Sequence, residues 1–201
     1  MAKSIEFWFD FVSPYAYIAT QSIEQLAAKY DRTVAWKPML LGAVFKSTGS
    51  SPLTMRPPVM ADYFKHDFIR SAHFAGLPFV LPEPFPIATQ NTARVCLWLQ
   101  DIEPGRTGDF VRQVTRAYFT GPVALNDPAW LAQQISAMGL DGAAAEAACD
   151  DPHYKEALKA QCERAIAKGI FGAPWIIADE EAFWGNDRLP QLEKWLSQNG
   201  V

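Results

Sequence analysis

The chain has 201 residues, 49% of them hydrophobic and 20% charged, which suffices to bury a full core as one domain, or one domain with a large insertion, and excludes a disordered chain. Its 18 basic and 22 acidic residues give a formal charge of -4, and no Lys/Arg run is interleaved with aromatics, so a nucleic-acid partner is not expected. The segment MAKS-IEFWFDF lacks the apolar run and small-residue cleavage site of a secretory signal, and no apolar stretch reaches the roughly 18 residues that span a bilayer, so the expectation is a soluble cytoplasmic protein with no membrane partner.

Residues 4–12 alternate and predict a buried strand, with Ile5, Phe7, Phe9 and Phe11 on one face and Glu6, Trp8 and Asp10 on the other. From 14 to 30, Tyr15, Ile18, Ala19, Ile23, Leu26 and Tyr30 recur at helical spacing. RTVAWKPML, 32–40, predicts a second strand, completing a βαβ unit with a right-handed crossover. The next stretch, GAVFKSTGSSPLTMRPPV, is dense in Gly, Ser and Pro and is expected to be loop. Helical patterns follow at about 59–75, 88–102, 106–119, 128–138 and 152–168. Asn126-Asp127-Pro128 and Asp151-Pro152 each read as a polar N-cap followed by proline at the first helical position. APWIIADEEAFWG, 173–185, predicts a hairpin turning at Asp179 to Glu181. Residues 187–198 predict a closing amphipathic helix with Pro190 in its first turn.

Strand, helix, strand, a helical stretch, then hairpin and helix is the order of an α/β thioredoxin-like fold with an inserted all-helical domain. The expected division is 1–45 with 169–201 for the thioredoxin-like part and 46–168 for the insertion. Cys96, Cys149 and Cys162 form no C-x-x-C pair, which excludes the usual dithiol motif and leaves them as packing residues. Cys162 shares a helical stripe with Tyr154, Leu158 and Ile166. His66, His73 and His153 have no metal-ligand spacing, so no metal is expected.

Ser13-Pro14 stands at the strand-to-helix corner where a thioredoxin-like architecture normally carries its reactive cysteine. The simplest role for Ser13 is an N-cap. The same corner favours negative charge, and a hydroxyl there can donate to a thiolate, although serine itself cannot shuttle disulfides. In GIFGAPWII, Pro174 falls just before a strand, where this fold places a cis proline and leaves the preceding backbone free to pair with a peptide.

FDFVSPYAYIA and GIFGAPWIIADEEAFWGNDRLPQLEKWL, with the helical stretch between them, closely resemble the 2-hydroxychromene-2-carboxylate isomerases and their relatives, the kappa-class glutathione transferases. The resemblance covers essentially the whole chain and rests on strand-SPY-helix combined with GxFGxPxxxxxxxxFWGxDRL. It implies a fold of the DsbA and kappa-class type, with glutathione as cofactor and its thiolate beside Ser13, the catalytic residue. It further implies that Ala173, before Pro174, pairs with the glutathione backbone and that Asn186 and Asp187 hold the γ-glutamyl end. Ser50 stands where the kappa enzymes have a glutathione-contacting asparagine. Relatives often carry asparagine soon after the Phe-Pro pair, where this chain has Ala88, with Asn91 one turn later.

The implied chemistry is reversible thiolate addition, bond rotation and elimination, interconverting 2-hydroxychromene-2-carboxylate and trans-o-hydroxybenzylidenepyruvate with glutathione returned unchanged. A small aromatic carboxylate of this kind needs an apolar pocket and a cation, for which Lys46, Arg56, Tyr63, Arg70 and Arg94 are the candidates. Trp8, Trp175, Phe183 and Trp184 read first as core and second as pocket lining. A kappa-like transferase or peroxidase consuming glutathione, and a non-catalytic DsbA-like peptide-binding module, remain alternatives. Relatives of this type are often homodimers, but no interface stripe is legible.

Overall fold

The computed structural model describes residues 3–199. Its sheet has four strands in the order β2-β1-β3-β4. The first, β1 (Ser4–Phe9), pairs in parallel with β2 (Thr33–Pro38) and antiparallel with β3 (Trp175–Ala178), which in turn pairs antiparallel with β4 (Glu181–Trp184). Register sets Phe7 opposite both Trp36 and Ile176. The odd-numbered face of β1 is fully buried, and Phe7 and Phe9 meet Trp36 edge-on at 5.2 and 5.7 Å. The β3–β4 turn uses left-handed backbone at Asp179 and Glu180, φ 49° and 72°, and Arg32 grips Asp179 with two hydrogen bonds of 2.9 and 2.8 Å.

Three early elements differ from expectation. Strand β1 ends at Phe9 rather than residue 12, because Asp10 makes a turn: its side chain accepts from Val12 N–H (3.2 Å) and its carbonyl from Ser13 N–H (3.0 Å). The helix expected over 14–30 is two helices, α1 (Pro14–Thr20) and α2 (Ile23–Ala28). At the break Thr20 donates its hydroxyl to the Tyr17 carbonyl at 2.7 Å, while the apolar spacing runs on unchanged. The stretch expected to be loop contains α3 (Leu41–Thr48) and a short 3-10 turn at Leu53–Met55. Gly49 ends α3 in the left-handed region, φ 69°, so glycine there is a helix stop.

The remaining helices lie between β2 and β3, apart from the last: α4 (Pro58–Phe74), α5 (Gln90–Ile102), α6 (Thr107–Thr120), α7 (Pro128–Ala137), α8 (Gly142–Ala148), α9 (Pro152–Ala167) and α10 (Leu189–Asn199). Asp127 and Asp151 cap α7 and α9, accepting from Ala129 N–H at 2.7 Å and His153 N–H at 2.8 Å. The sequence reading does not single out α8, whose GAAAEAA carries no amphipathic pattern. It packs so closely on α7 that a Cβ on Gly142 would lie 2.5 Å from the Ala132 carbonyl. Core side chains run unbroken from the sheet into the helices, Phe11 meeting Phe110 of α6 at 6.0 Å. Among the described residues no helix is long and apolar enough to cross a membrane.

Candidate functional site

A cavity of about 900 Å³ opens where the Ser13 corner faces the helices. Its walls are the turn after β1, α3 with the following 50–56 segment, the inner face of α4, residues 85–90, and the two stretches Phe171–Ala173 and Trp184–Arg188. This volume lies within the range of small-ligand sites. Ser13, Ser50, Tyr63, Ala173, Asn186 and Asp187 all line it.

Ser13 is buried, and its hydroxyl serves two neighbours. The oxygen caps α1 by accepting from Ala16 N–H at 3.2 Å, and the proton goes to the Ala173 carbonyl at 3.1 Å. Because that carbonyl only accepts, the direction of the second bond is fixed. The Ala173-Pro174 peptide is cis, and the Pro174 carbonyl accepts from Gly185 N–H at 3.0 Å. Pro174 itself does not line the cavity. With α1 only seven residues long, the hydroxyl is a more definite source of stabilisation here than the dipole of the long helix expected from sequence.

The carboxylate of Asp10, unassigned by sequence reasoning, is buried behind this corner. It accepts from Thr89 Oγ1 (2.7 Å), Leu41 N–H (2.8 Å) and Val12 N–H, tying the β1 turn to the start of α3 and the segment before α5. Burial raises its pKa and the three hydrogen bonds oppose that rise. Its signal in the sequence was a lone acid inside the aromatic run FWFDF. Across the cavity Tyr15 of α1 donates to Asp67 of α4 at 2.5 Å. Burial and then the adjoining carboxylate push the Tyr15 pKa up, keeping this hydroxyl a donor. Burial alone would raise Asp67, but the bonds from Tyr15, Arg70 and Ser71 outweigh it and leave Asp67 below the usual carboxylate value.

The cation candidates separate by their partners. Arg70 does not line the cavity: it is bound to Asp67 and donates to Tyr63 Oη at 3.1 Å. Arg94 is turned away from the cavity, donating to the Cys149 carbonyl (2.7 Å) and to Asn91 (3.1 Å), and so ties the end of α8 to α5. Lys46 is exposed in the last turn of α3 and is not a lining residue. Of the two lining arginines, Arg188 pairs with Asp187 at 3.0 Å. Arg56 has no carboxylate partner among the described residues: it donates to Ser50 Oγ at 2.8 Å, and its Nε, like nearby Thr54 Oγ1, is buried with no partner. Asn91 bonds Asn126 through both backbone and side chain and does not replace the missing asparagine, since Ala88 lines the cavity instead.

Trp184, read first as core, is half exposed at the mouth, where it packs edge-on against Phe171 at 4.6 Å. Two glycines make this wall possible. A Cβ on Gly172 would lie 2.4 Å from Trp184 Nε1, and one on Gly185, φ 107°, would lie 2.4 Å from Asp187 Oδ1. No cysteine lines the cavity. All three are buried, and burial pushes the Cys149 thiol up to about 11. Among the described residues no group of three His, Cys, Asp or Glu side chains converges as a metal site.

Comparison with known proteins fits this geometry. Residues 4–197 match the model of the DSBA-like thioredoxin domain. The chain is 29% identical over 191 residues to a 2-hydroxychromene-2-carboxylate isomerase of Pseudomonas putida, covering 94% of this chain and 92% of the relative. It is 26% identical over 208 residues to glutathione S-transferase kappa 2 of Caenorhabditis elegans, covering 98% and 92%. A solved structure of a 2-hydroxychromene-2-carboxylate isomerase superposes with a TM-score of 0.87 at 27% identity, over 97% of this chain and 95% of that one.

Proposed function

Since the chain belongs to the DSBA-like thioredoxin domain family, we propose that it is a glutathione-dependent isomerase of a conjugated aromatic carboxylate, of the 2-hydroxychromene-2-carboxylate type. The observation that carries this reading is a serine hydroxyl, not a thiol, at the corner of a cavity with no cysteine in its lining. The nucleophile must then come with a ligand, and relatives of this chain carry names that include glutathione transferase and the isomerase. Glutathione, when bound, supplies a thiolate that adds reversibly to the conjugated bond and leaves unchanged.

The residues present fit that ligand. Ala173 offers a backbone carbonyl at the cavity wall, Asp187 at the mouth is a carboxylate suited to an amino group, and Ser50 and Thr54 offer hydroxyls. Ser13 supplies the hydroxyl donor that stabilises sulfur charge, since a free thiol of pKa about 8.5 is mostly protonated at neutral pH. Arg56, which lines the cavity and has no carboxylate partner among the described residues, is the cation for the substrate carboxylate. Tyr15 and Tyr63 give the aromatic wall, and the Tyr63 hydroxyl, which accepts from Arg70 and keeps its own proton to donate, suits a phenol or enol oxygen.

The likeness to glutathione S-transferase kappa 2 supports a second reading, a transferase that consumes glutathione. Thiol titration before and after complete equilibration of 2-hydroxychromene-2-carboxylate separates the two. Full recovery of glutathione supports the isomerase; loss in proportion to product supports the transferase.

A further inference from the structure

Two tyrosines line the cavity, and the structure commits their hydroxyls differently. Tyr15 gives its proton to Asp67 at 2.5 Å, and a phenol has only one to give. Tyr63 is the reverse case: its oxygen accepts from Arg70 at 3.1 Å, and among the described residues nothing takes its proton. Tyr63, Asp67 and Arg70 stand at i, i+4 and i+7 on α4, so one face of the helix carries all three. Asp67 binds the Arg70 guanidinium and also receives the Tyr15 and Ser71 hydroxyls, which anchors the group to α1. The guanidinium carbon lies 5.6 Å from the centre of the Tyr63 ring. Arg70 itself does not line the cavity, whereas Tyr63 does. A phenol whose oxygen receives a cation's N–H donates more strongly in turn, because successive hydrogen bonds polarise one another.

We propose that Tyr63 is the donor to the substrate oxygen that gains charge when a thiolate adds, and that Arg70, held by Asp67, is the positioning residue that aims and strengthens it. This deepens the isomerase reading of the cavity and rests on it. In the addition, a C–S bond forms at the end of the double bond remote from the ketone, and the π pair moves onto the ketone oxygen. Elimination sends both back. Tyr63 donates a hydrogen bond to that oxygen and keeps its proton, so no proton is gained or lost over the cycle. The substrate class is therefore a conjugated ketone, with Arg56 for its carboxylate and Tyr63 for its carbonyl. Tyr15, its proton already given to Asp67, is left as wall.

The test pairs kinetics with a spectrum that needs no turnover. Tyr63 is 56% exposed and the Arg70 side chain 53%, so neither Tyr63→Phe nor Arg70→Met disturbs the core. trans-Benzylidenepyruvate, isotopically labelled at its ketone carbon, is bound to the protein without glutathione and its ketone stretch is read by infrared difference spectroscopy. Tyr63→Phe is expected to move that stretch to higher wavenumber and Arg70→Met to move it part of the way. In the isomerisation, Tyr63→Phe is expected to lower kcat about 10²-fold, the scale of one preorganised donor, with KM little changed. Arg70→Met is expected to lower kcat about tenfold in the wild type and not at all in the Tyr63→Phe background, since it acts through Tyr63. A stretch or a kcat that Tyr63→Phe leaves unchanged, while glutathione still accelerates the wild type, overturns the role of Tyr63 and leaves the isomerase reading standing. An equal loss from Arg70→Met in both backgrounds overturns the coupling. Wild-type protein that binds no glutathione by calorimetry overturns the isomerase reading and this proposal with it.

Discussion

Ser13 holds the corner by two bonds, so its removal has two separable effects. In Ser13→Ala the cap on Ala16 N–H is lost, with a cost of about 1 kcal/mol that a urea midpoint would register. Loss of one preorganised donor at a developing charge lowers turnover by about 10²-fold, and near wild-type turnover would reduce Ser13 to its cap. Arg56 lines the same cavity. Arg56→Gln removes the positive charge while keeping an amide for Ser50 Oγ. The expected result is a KM for the carboxylate substrate raised about 10- to 100-fold, the scale of a charge-assisted hydrogen bond, with kcat little changed. An unchanged KM would assign the carboxylate to another group.

Between elements, Gly172 lets the β4 end of the hairpin lie against the Phe171–Ala173 stretch, since any Cβ there meets the Trp184 indole at 2.4 Å. Gly172→Ala is expected to swing Trp184 off Phe171 and weaken thiol-ligand binding about tenfold, the upper end of what one aromatic pair contributes. Titration of the ligand against Trp fluorescence checks this, and unaltered affinity would show that Trp184 is not part of the wall the ligand uses. These walls were unevenly legible in the sequence. Ser13, Ala173, Asn186 and Asp187 all sit within two contiguous segments, where local pattern carries the information. Helix α3 did not show, because Leu41 N–H is received by Asp10 Oδ2, 31 residues earlier, so its start is tertiary. Whether a cation is free depends on its partners: the Asp67–Arg70 pair is visible as an i,i+3 spacing, but the grip of Arg94 on the Cys149 carbonyl spans 55 residues and has no local sign.

For the whole molecule, the buried Asp10 joins the sheet, α3 and the segment leading to α5. Burial holds its pKa above the ordinary carboxylate value in the folded chain. The native state thus keeps the proton where the unfolded chain has lost it, and stability falls with rising pH between the unfolded and folded values. Asp10→Asn lacks this titration. Urea midpoints measured from pH 4 upwards should show wild type losing ground to Asp10→Asn as pH rises, and a constant difference between the two would mean that Asp10 is not raised. The proposed chemistry turns on a thiolate brought by glutathione to a serine corner. Its most direct test is the ultraviolet rate of 2-hydroxychromene-2-carboxylate equilibration with protein, first without and then with glutathione. Acceleration is expected only when glutathione is present; equal acceleration without it, or none with it, would contradict that chemistry.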